Sequence, residues 1–324
     1  MQSCLNNQVQ INTSVPGFSP FEMEKQVTFP IETALSGIPG LQSTRSLSRN
    51  GFSQVTAIFD DSVNIYFARQ QVSEKLTEAK ENLPPNTDPK MGVISTGLGE
   101  IYMWTLQFED LKKTKIENGK PGFQSDGTYL TPEGQRLTKP HEKAGYLRTL
   151  QDWIIKPQLR TIPGVAGIDS IGGYVKQYHV QPDPYKLIAL GLSFSDIQDI
   201  VEKNNLSVGA GYIEKNGESL TVRSDGRTET IEHIQNIVVT SKNGTPVYLK
   251  DVAHVEIGKE LRTGSGSENG ADAVVGTALM LIGSNSRIVA DAVDQKFREV
   301  IKNLPPGIHA QTVLNRTKLV DATI

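Results

Sequence analysis

The sequence predicts an α+β chain in which one β-α-β-β-α-β unit is built twice and the second copy is split by a β-rich insertion. Two observations carry this. Ala68–Pro85 reads ARQQVSEKLTEAKENLPP and Val289–Pro306 reads VADAVDQKFREVIKNLPP, so that Val72 matches Val293, Lys75 matches Lys296 and Glu78 matches Glu299. Copies placed near opposite ends of a chain mean that one supersecondary unit was made twice. The helix stop Ile38-Pro39-Gly40-Leu41 likewise returns as Ile162-Pro163-Gly164-Val165.

In the first copy, Val9 to Thr13 alternates apolar and polar residues, the pattern of a half-buried strand. Ser19-Pro20 then supplies an N-cap with proline at the first helical position. The helix places Val27, Ile31, Leu35 and Ile38 on one face and stops at Pro39-Gly40. Leu41–Leu47 and Phe52–Phe59 flank Arg49-Asn50-Gly51, a hairpin signal. A second helix, Asn64–Glu81, sets Ile65, Ala68, Val72, Leu76 and Ala79 on one stripe and ends at Leu83-Pro84-Pro85. Lys90–Ser95 is the last strand. This order is the split ferredoxin-like arrangement.

The second copy opens with the alternating strand Ile101–Phe108 and a helix over about Glu142–Thr161 carrying Leu147, Leu150, Ile154 and Leu159. Ile168–Ile171, Gly172-Gly173 and Tyr174–Gln181 are expected to repeat the hairpin. The copy resumes with the strand Val274–Ile282, the helix Ser286–Asn303 and the strand Ile308–Val313. Between the pieces, Pro184–Leu190 and a helix capped at Ser193 and running to Asn204 lead into two hairpins, turning at Asn216-Gly217 and Lys242-Asn243-Gly244. Asp110–Pro140, rich in Lys, Gly, Thr and Pro, lacks periodicity and reads as a mobile surface loop. The division is therefore residues 8–97 for the first subdomain, 98–182 with 270–316 for the second, 183–269 for the insertion, and 317–324 for a further segment.

Lys and Arg total 33 against 36 Asp and Glu, a formal charge of −3, which gives no cationic surface for nucleic acid. The single cysteine, Cys4, makes no internal disulfide and says nothing about compartment. No run of about 18 apolar residues spans a membrane. The strand within the first dozen residues and the uncapped helical start Lys318–Ile324 make both ends read as cut. Neither Gly172-Gly173 nor Gly97-Leu98-Gly99 belongs to a phosphate or dinucleotide loop, and no nucleophile elbow occurs, so nothing points to an enzyme.

Val9-Gln10-Ile11-Asn12-Thr13-Ser14-Val15-Pro16-Gly17 and Val27-Thr28-Phe29-Pro30-Ile31-Glu32-Thr33-Ala34 carry a resemblance. Arg45-Ser46-Leu47-Ser48, Gly99-Glu100-Ile101-Tyr102, Leu150-Gln151-Asp152-Trp153 and Val247-Tyr248-Leu249-Lys250-Asp251-Val252-Ala253 extend it. From about Gln8 to Ile324 the chain is similar to the first periplasmic loop of the heavy-metal efflux branch of the resistance-nodulation-division (RND) transporters. The resemblance implies a piece of a trimeric, proton-driven inner-membrane antiporter facing the periplasm. Its two copies would be porter subdomains and the insertion half of a docking domain. The implied partners are the protein's own second periplasmic loop and membrane helices, neighbouring protomers of a homotrimer, a periplasmic adaptor and an outer-membrane channel. No cofactor is implied. Zn, Co, Cd or Ni as divalent ions, or monovalent Cu or Ag, would be the transported substrate. A drug- or lipid-exporting porter of the same superfamily, and a soluble tandem ferredoxin-like sensor, remain alternatives.

Glu100 is the first candidate ligand, since it stands at the mouth of the strand linking the copies and a carboxylate suits a divalent cation. A transported ion needs few, exchangeable ligands rather than a closed cage. Asp169, on the first hairpin strand of the second copy, is the second candidate. Asp60-Asp61 reads as a helix-start turn, and Asp126, Glu133 and Glu142 as solvating charges of the loop. His141, His179, His233, His254 and His309 are scattered, with no metal-ligand spacing. The five methionines are equally dispersed, and Met103 is expected in the core.

Overall fold

A computed structural model describes residues 7–85, 87–95, 99–110, 116–205, 208–215, 218–224, 228, 230–242, 244–260 and 264–317. In the first half, β1 (Asn7–Ser14), β2 (Leu41–Arg49), β3 (Phe52–Phe59) and β4 (Lys90–Met91) form one antiparallel sheet in the order β2-β3-β1-β4. The hairpin turns at Asn50-Gly51, where Gly51 takes a left-handed φ of +65°. Helices over residues 20–35 and Ile65–Ala79 cover one face. Val9, Ile11, Val55 and Ala57 meet Val27, Ile31, Ala68 and Val72 there, all fully buried.

In the second half the repeat is visible in the pairing. The chain forms β5 (Glu100–Phe108), β6 (Gly122–Phe123), β7 (Tyr129–Leu130), β8 (Arg136–Leu137), β9 (Val165–Ile171) and β10 (Lys176–Pro182). In the insertion follow β11 (Val208–Lys215), β12 (Glu218–Ser224), β13 (Val238–Lys242), β14 (Thr245–Tyr248) and β15 (Ala253–Lys259). Last come β16 (Gly266–Glu268), β17 (Ala271–Met280) and β18 (Ile308–Asn315). β17 pairs with β9 and β16 along one edge and with β5 along the other, and β18 closes the far side of β5. The sequence β9-β17-β5-β18 is the arrangement β2-β3-β1-β4 over again. The helix Ser286–Val300 tightens into a last turn at Ile301–Asn303, as Ile65–Ala79 does at Lys80–Asn82.

Both first helices also widen at one turn. The Phe29 amide donates to the Glu24 carbonyl and the Lys156 amide to the Gln151 carbonyl, five residues back in each case. Pro30 and Pro157 explain it: a proline inside a helix lacks an N–H and crowds the carbonyl four residues earlier, so the preceding turn opens. Each opened turn holds a buried polar side chain that is satisfied from the sheet. Thr28 Oγ1 lies 2.7 Å from Ser53 Oγ and 2.9 Å from Ser48 Oγ. Gln151 Oε1 accepts from Trp104 Nε1 at 2.8 Å.

Several expectations need correction. The hairpin at Gly172-Gly173 does not form: β9 pairs with β17, whereas β10 pairs with β15 in a separate two-stranded ribbon. The two glycines have φ of +85° and +64°, but they are hemmed in. A Cβ on Gly172 would meet the Ala273 carbonyl at 2.5 Å, and one on Gly173 the Ala144 carbonyl at 2.8 Å. The chain thus slips between strand and helix and leaves the sheet. The segment before the helix Pro140–Leu150 is not a featureless loop either. Turns at Asp126-Gly127 and Glu133-Gly134 join β6, β7 and β8 into a small sheet, and Phe123 and Tyr129 are buried against Phe108. Met103 is half-buried on the face away from the core that Tyr102 and Trp104 fill.

The insertion has its own small core, in which Leu187, Ile197, Leu249 and Val255 are buried. Its helices Pro184–Leu190 and Phe194–Lys203 begin as read from the sequence, the latter with Ser193 and Asp196 capping each other. The hairpin β11–β12 forms, although its turn Asn216-Gly217 lies outside the described residues, as do Asn243 of the second turn, Gly97, Leu98, Cys4 and 318–324.

Candidate functional site

Strand alternation builds one wall of a cleft. Val9, Ile11 and Thr13 of β1 face the first core, so Gln8, Gln10 and Asn12 must point the other way. Asn12 Oδ1 accepts from Gln10 Nε2 at 2.9 Å and from Gln54 Nε2 at 3.2 Å, which fixes this amide row. The Gly92 amide extends the β1–β4 pairing by donating to the Gln10 carbonyl at 2.7 Å, and Arg69 Nη1 clamps the Gly92 carbonyl at 2.7 Å.

The opposite wall is the outer face of the second sheet. Glu100 begins β5 opposite Leu279, and Asp169 on β9 lies opposite Thr277. A bulge between Ala278 and Leu279 skips Ile101, which is fully buried, and brings Glu100 into line with Leu279. Bulges of this kind re-aim side chains at strand ends. The Met280 amide holds the Gly99 carbonyl at 2.7 Å. Where the walls touch, a Cβ on Gly167 would come within 2.8 Å of Val93 Cγ1, so a side chain there would force Val93 to shift.

The cleft encloses about 420 Å³. It brings together both candidates, Glu100 and Asp169, with Gln8, Gln10, Asn12 and Met91 across from them. Both carboxylates are exposed, and neither has a salt-bridge or side-chain hydrogen-bond partner among the described residues. Two carboxylates, amide oxygens and one thioether can offer a borderline divalent ion a partial shell. Among the described residues no three His, Cys, Asp or Glu side chains converge as a closed metal site. Sequence reasoning missed the amide row and Met91; the alternation of β1 carried the signal for the former, whereas Met91 depends on the β1–β4 pairing.

The remaining acidic candidates have structural work. Asp60 accepts from the Ser62 amide at 2.9 Å and its hydroxyl at 2.8 Å, and these bonds hold its pKa below the usual carboxylate range. Asp126 does the same for Thr128 and pairs with Arg136 at 2.9 Å. At Glu142 burial disfavours the charge, yet the amides of Lys139 and Thr138 outweigh it and lower the pKa. It is therefore a helix cap rather than a solvating loop charge. No histidine lines the cleft.

Two similar halves thus enclose a polar cleft beside a separately folded insertion, and the chain belongs to the AcrB/AcrD/AcrF family, whose model matches residues 3–324. It is 53% identical over 321 residues to the nickel-cobalt-cadmium resistance protein NccA of Alcaligenes xylosoxydans xylosoxydans, covering 98% of this chain and 30% of that protein. It is 48% identical over 319 residues to the cobalt-zinc-cadmium resistance protein CzcA of Cupriavidus metallidurans, covering 98% and 28%. An X-ray crystal structure of a heavy metal efflux pump superposes with a TM-score of 0.80 at 27% identity, covering 98% of this chain and 29% of that one. The chain thus spans less than a third of the length of these relatives. No described helix is long and apolar enough to cross a membrane.

Proposed function

We propose that the chain is the periplasmic porter and docking portion of a proton-driven heavy-metal efflux pump, and that Glu100 and Asp169 are transient ligands of the exported cation. The convergence of these two unpaired carboxylates on one cleft carries the reading. An oxygen-rich, open, incompletely ligated site suits a divalent ion that must be released again. Relatives named for nickel, cobalt, cadmium and zinc favour those ions as substrates over copper or silver, whose soft chemistry asks for several thioethers. The polar lining speaks against a drug or lipid substrate at the same place.

Each half is read as a ferredoxin-like subdomain, on the strength of the element order and the repeated sheet order. The pairing of β10 with β15 supports moving the insertion's bounds from 183–269 to about 174–265. On this reading the insertion docks a neighbouring protomer and an outer-membrane channel, and an adaptor completes the system. The test is metal tolerance of cells that depend on the full-length gene. Glu100→Gln and Asp169→Asn should each lower zinc, cobalt or nickel tolerance at unchanged protein level. Tolerance equal to the parent in both variants would sink the assignment.

A further inference from the structure

A second cavity, of about 410 Å³, shares no lining residue with the carboxylate cleft. Three elements wall it: the small sheet through Leu137, the outer face of the first helix of the second half through Tyr146 and Trp153, and the β10–β15 ribbon through Val175 and Ile257. These walls are mainly apolar, and the volume is in the range of small-molecule sites, about 300–1,000 Å³.

The ribbon side of its mouth carries two positive charges. Lys176 and Lys259 stand directly opposite each other in the β10–β15 register, and both line the cavity. Each is exposed and lies over a tyrosine ring, Lys176 at 5.4 Å from the Tyr178 centroid and Lys259 at 4.7 Å from that of Tyr174. Neither has a carboxylate partner among the described residues. Like charges directly opposite weaken an antiparallel pair, and a bound anion would relieve that repulsion. Of the acidic residues on the cavity, Glu142 is committed to the amides of Thr138 and Lys139, and Glu133 sits on the small-sheet wall rather than on the ribbon.

We propose that this cavity binds an amphipathic anion, its apolar tail against Trp153, Val175 and Ile257 and its carboxylate or phosphate head between Lys176 and Lys259. The site is independent of the cation cleft, and its success or failure leaves that assignment untouched.

The chain carries its own reporter. Of its two tryptophans, Trp104 is fully buried in the core, whereas Trp153 lines the cavity and is 79% exposed. Titration with decanoate below its micelle concentration should give a saturable change in Trp153 fluorescence. Octanoate should bind more weakly by roughly fourfold per methylene removed, the value of burying one CH₂. The head group is tested with decanol and with the Lys176→Gln/Lys259→Gln double variant, whose exposed side chains can be changed without disturbing a core. Both should weaken binding about fivefold, as two screened ion pairs in the middle of their usual range would. A head made by phosphate rather than carboxylate would show as tighter binding of decyl phosphate than of decanoate. The absence of a saturable signal would overturn the proposal. Equal binding of decanol and decanoate, or an unchanged affinity in the double variant, would also overturn it, since either means apolar adsorption alone.

Discussion

Replacing Gly276 with alanine should unseat Trp104 and weaken the sheet that carries both cleft carboxylates. Gly276 lies on β17, directly opposite Trp104 of β5 and Ser170 of β9, and a methyl there would overlap the indole ring. Trp104 has no free space to take: it is fully buried, with Phe297 at 5.3 Å and Tyr102 at 6.1 Å between ring centroids. Overpacking of this sort costs about 1–3 kcal/mol. If the ring tilts away, Trp104 Nε1 also loses its 2.8 Å bond to Gln151, worth about 1–3 kcal/mol once a buried donor is left unpaired. The two together predict a loss of about 2–6 kcal/mol. With a urea slope of about 2 kcal/mol per molar, the midpoint of the second half should fall by roughly 1–3 M. Tryptophan fluorescence in a Trp153→Phe background reports that half alone, because the first half contains no tryptophan. A midpoint within about 0.2 M of the parent would refute the packing argument.

Two further outcomes follow from the same geometry. Gln151→Leu removes the acceptor of Trp104 Nε1 and should destabilise the second half by about 1–3 kcal/mol in urea; the double variant with Trp104→Phe, read by far-ultraviolet circular dichroism, should cost less than the sum of the singles, and strict additivity would contradict the bond. Glu142 has its folded pKa held below the ordinary 4.5, so its cap contributes fully above that value and is lost as pH falls through the folded pKa. Glu142→Gln should therefore flatten the decline in thermal stability below about pH 4.5, and parallel pH curves for parent and variant would count against the cap.

Much of this architecture is legible in the sequence because it is written in local chemistry. Alternation in β1, the Asn50-Gly51 turn, the Ser19 and Ser193 caps and the twin helix ends each act over a few residues, and each appears where the pattern puts it. What failed depends on partners far away in the chain. Gly172-Gly173 has the right residues for a hairpin, yet β17, which lies on the far side of the insertion, takes the edge of β9 instead. The pairing of Lys176–Pro182 with Ala253–Lys259 has no local signature at all. The small sheet at 122–137 was hidden because its strands are only two residues long, too short for periodicity, and are held by Phe123 and Tyr129 packing on Phe108. At the cleft, chemistry and strand position single out Glu100 and Asp169 as candidates, and both line it. Their neighbours Gln10, Asn12 and Met91 needed the three-dimensional approach of the two halves, which turns on Gly167 admitting Val93.

If Glu100 and Asp169 are ligands of one cation, they must hold it together in the cleft. Crystals of the chain soaked in cobalt(II) test it most directly through anomalous scattering at the cobalt edge. A single strong peak is expected between Glu100 and Asp169, and it should disappear in Glu100→Gln and in Asp169→Asn. A cleft without a peak at saturating cobalt, or a peak there that survives both substitutions, would contradict it.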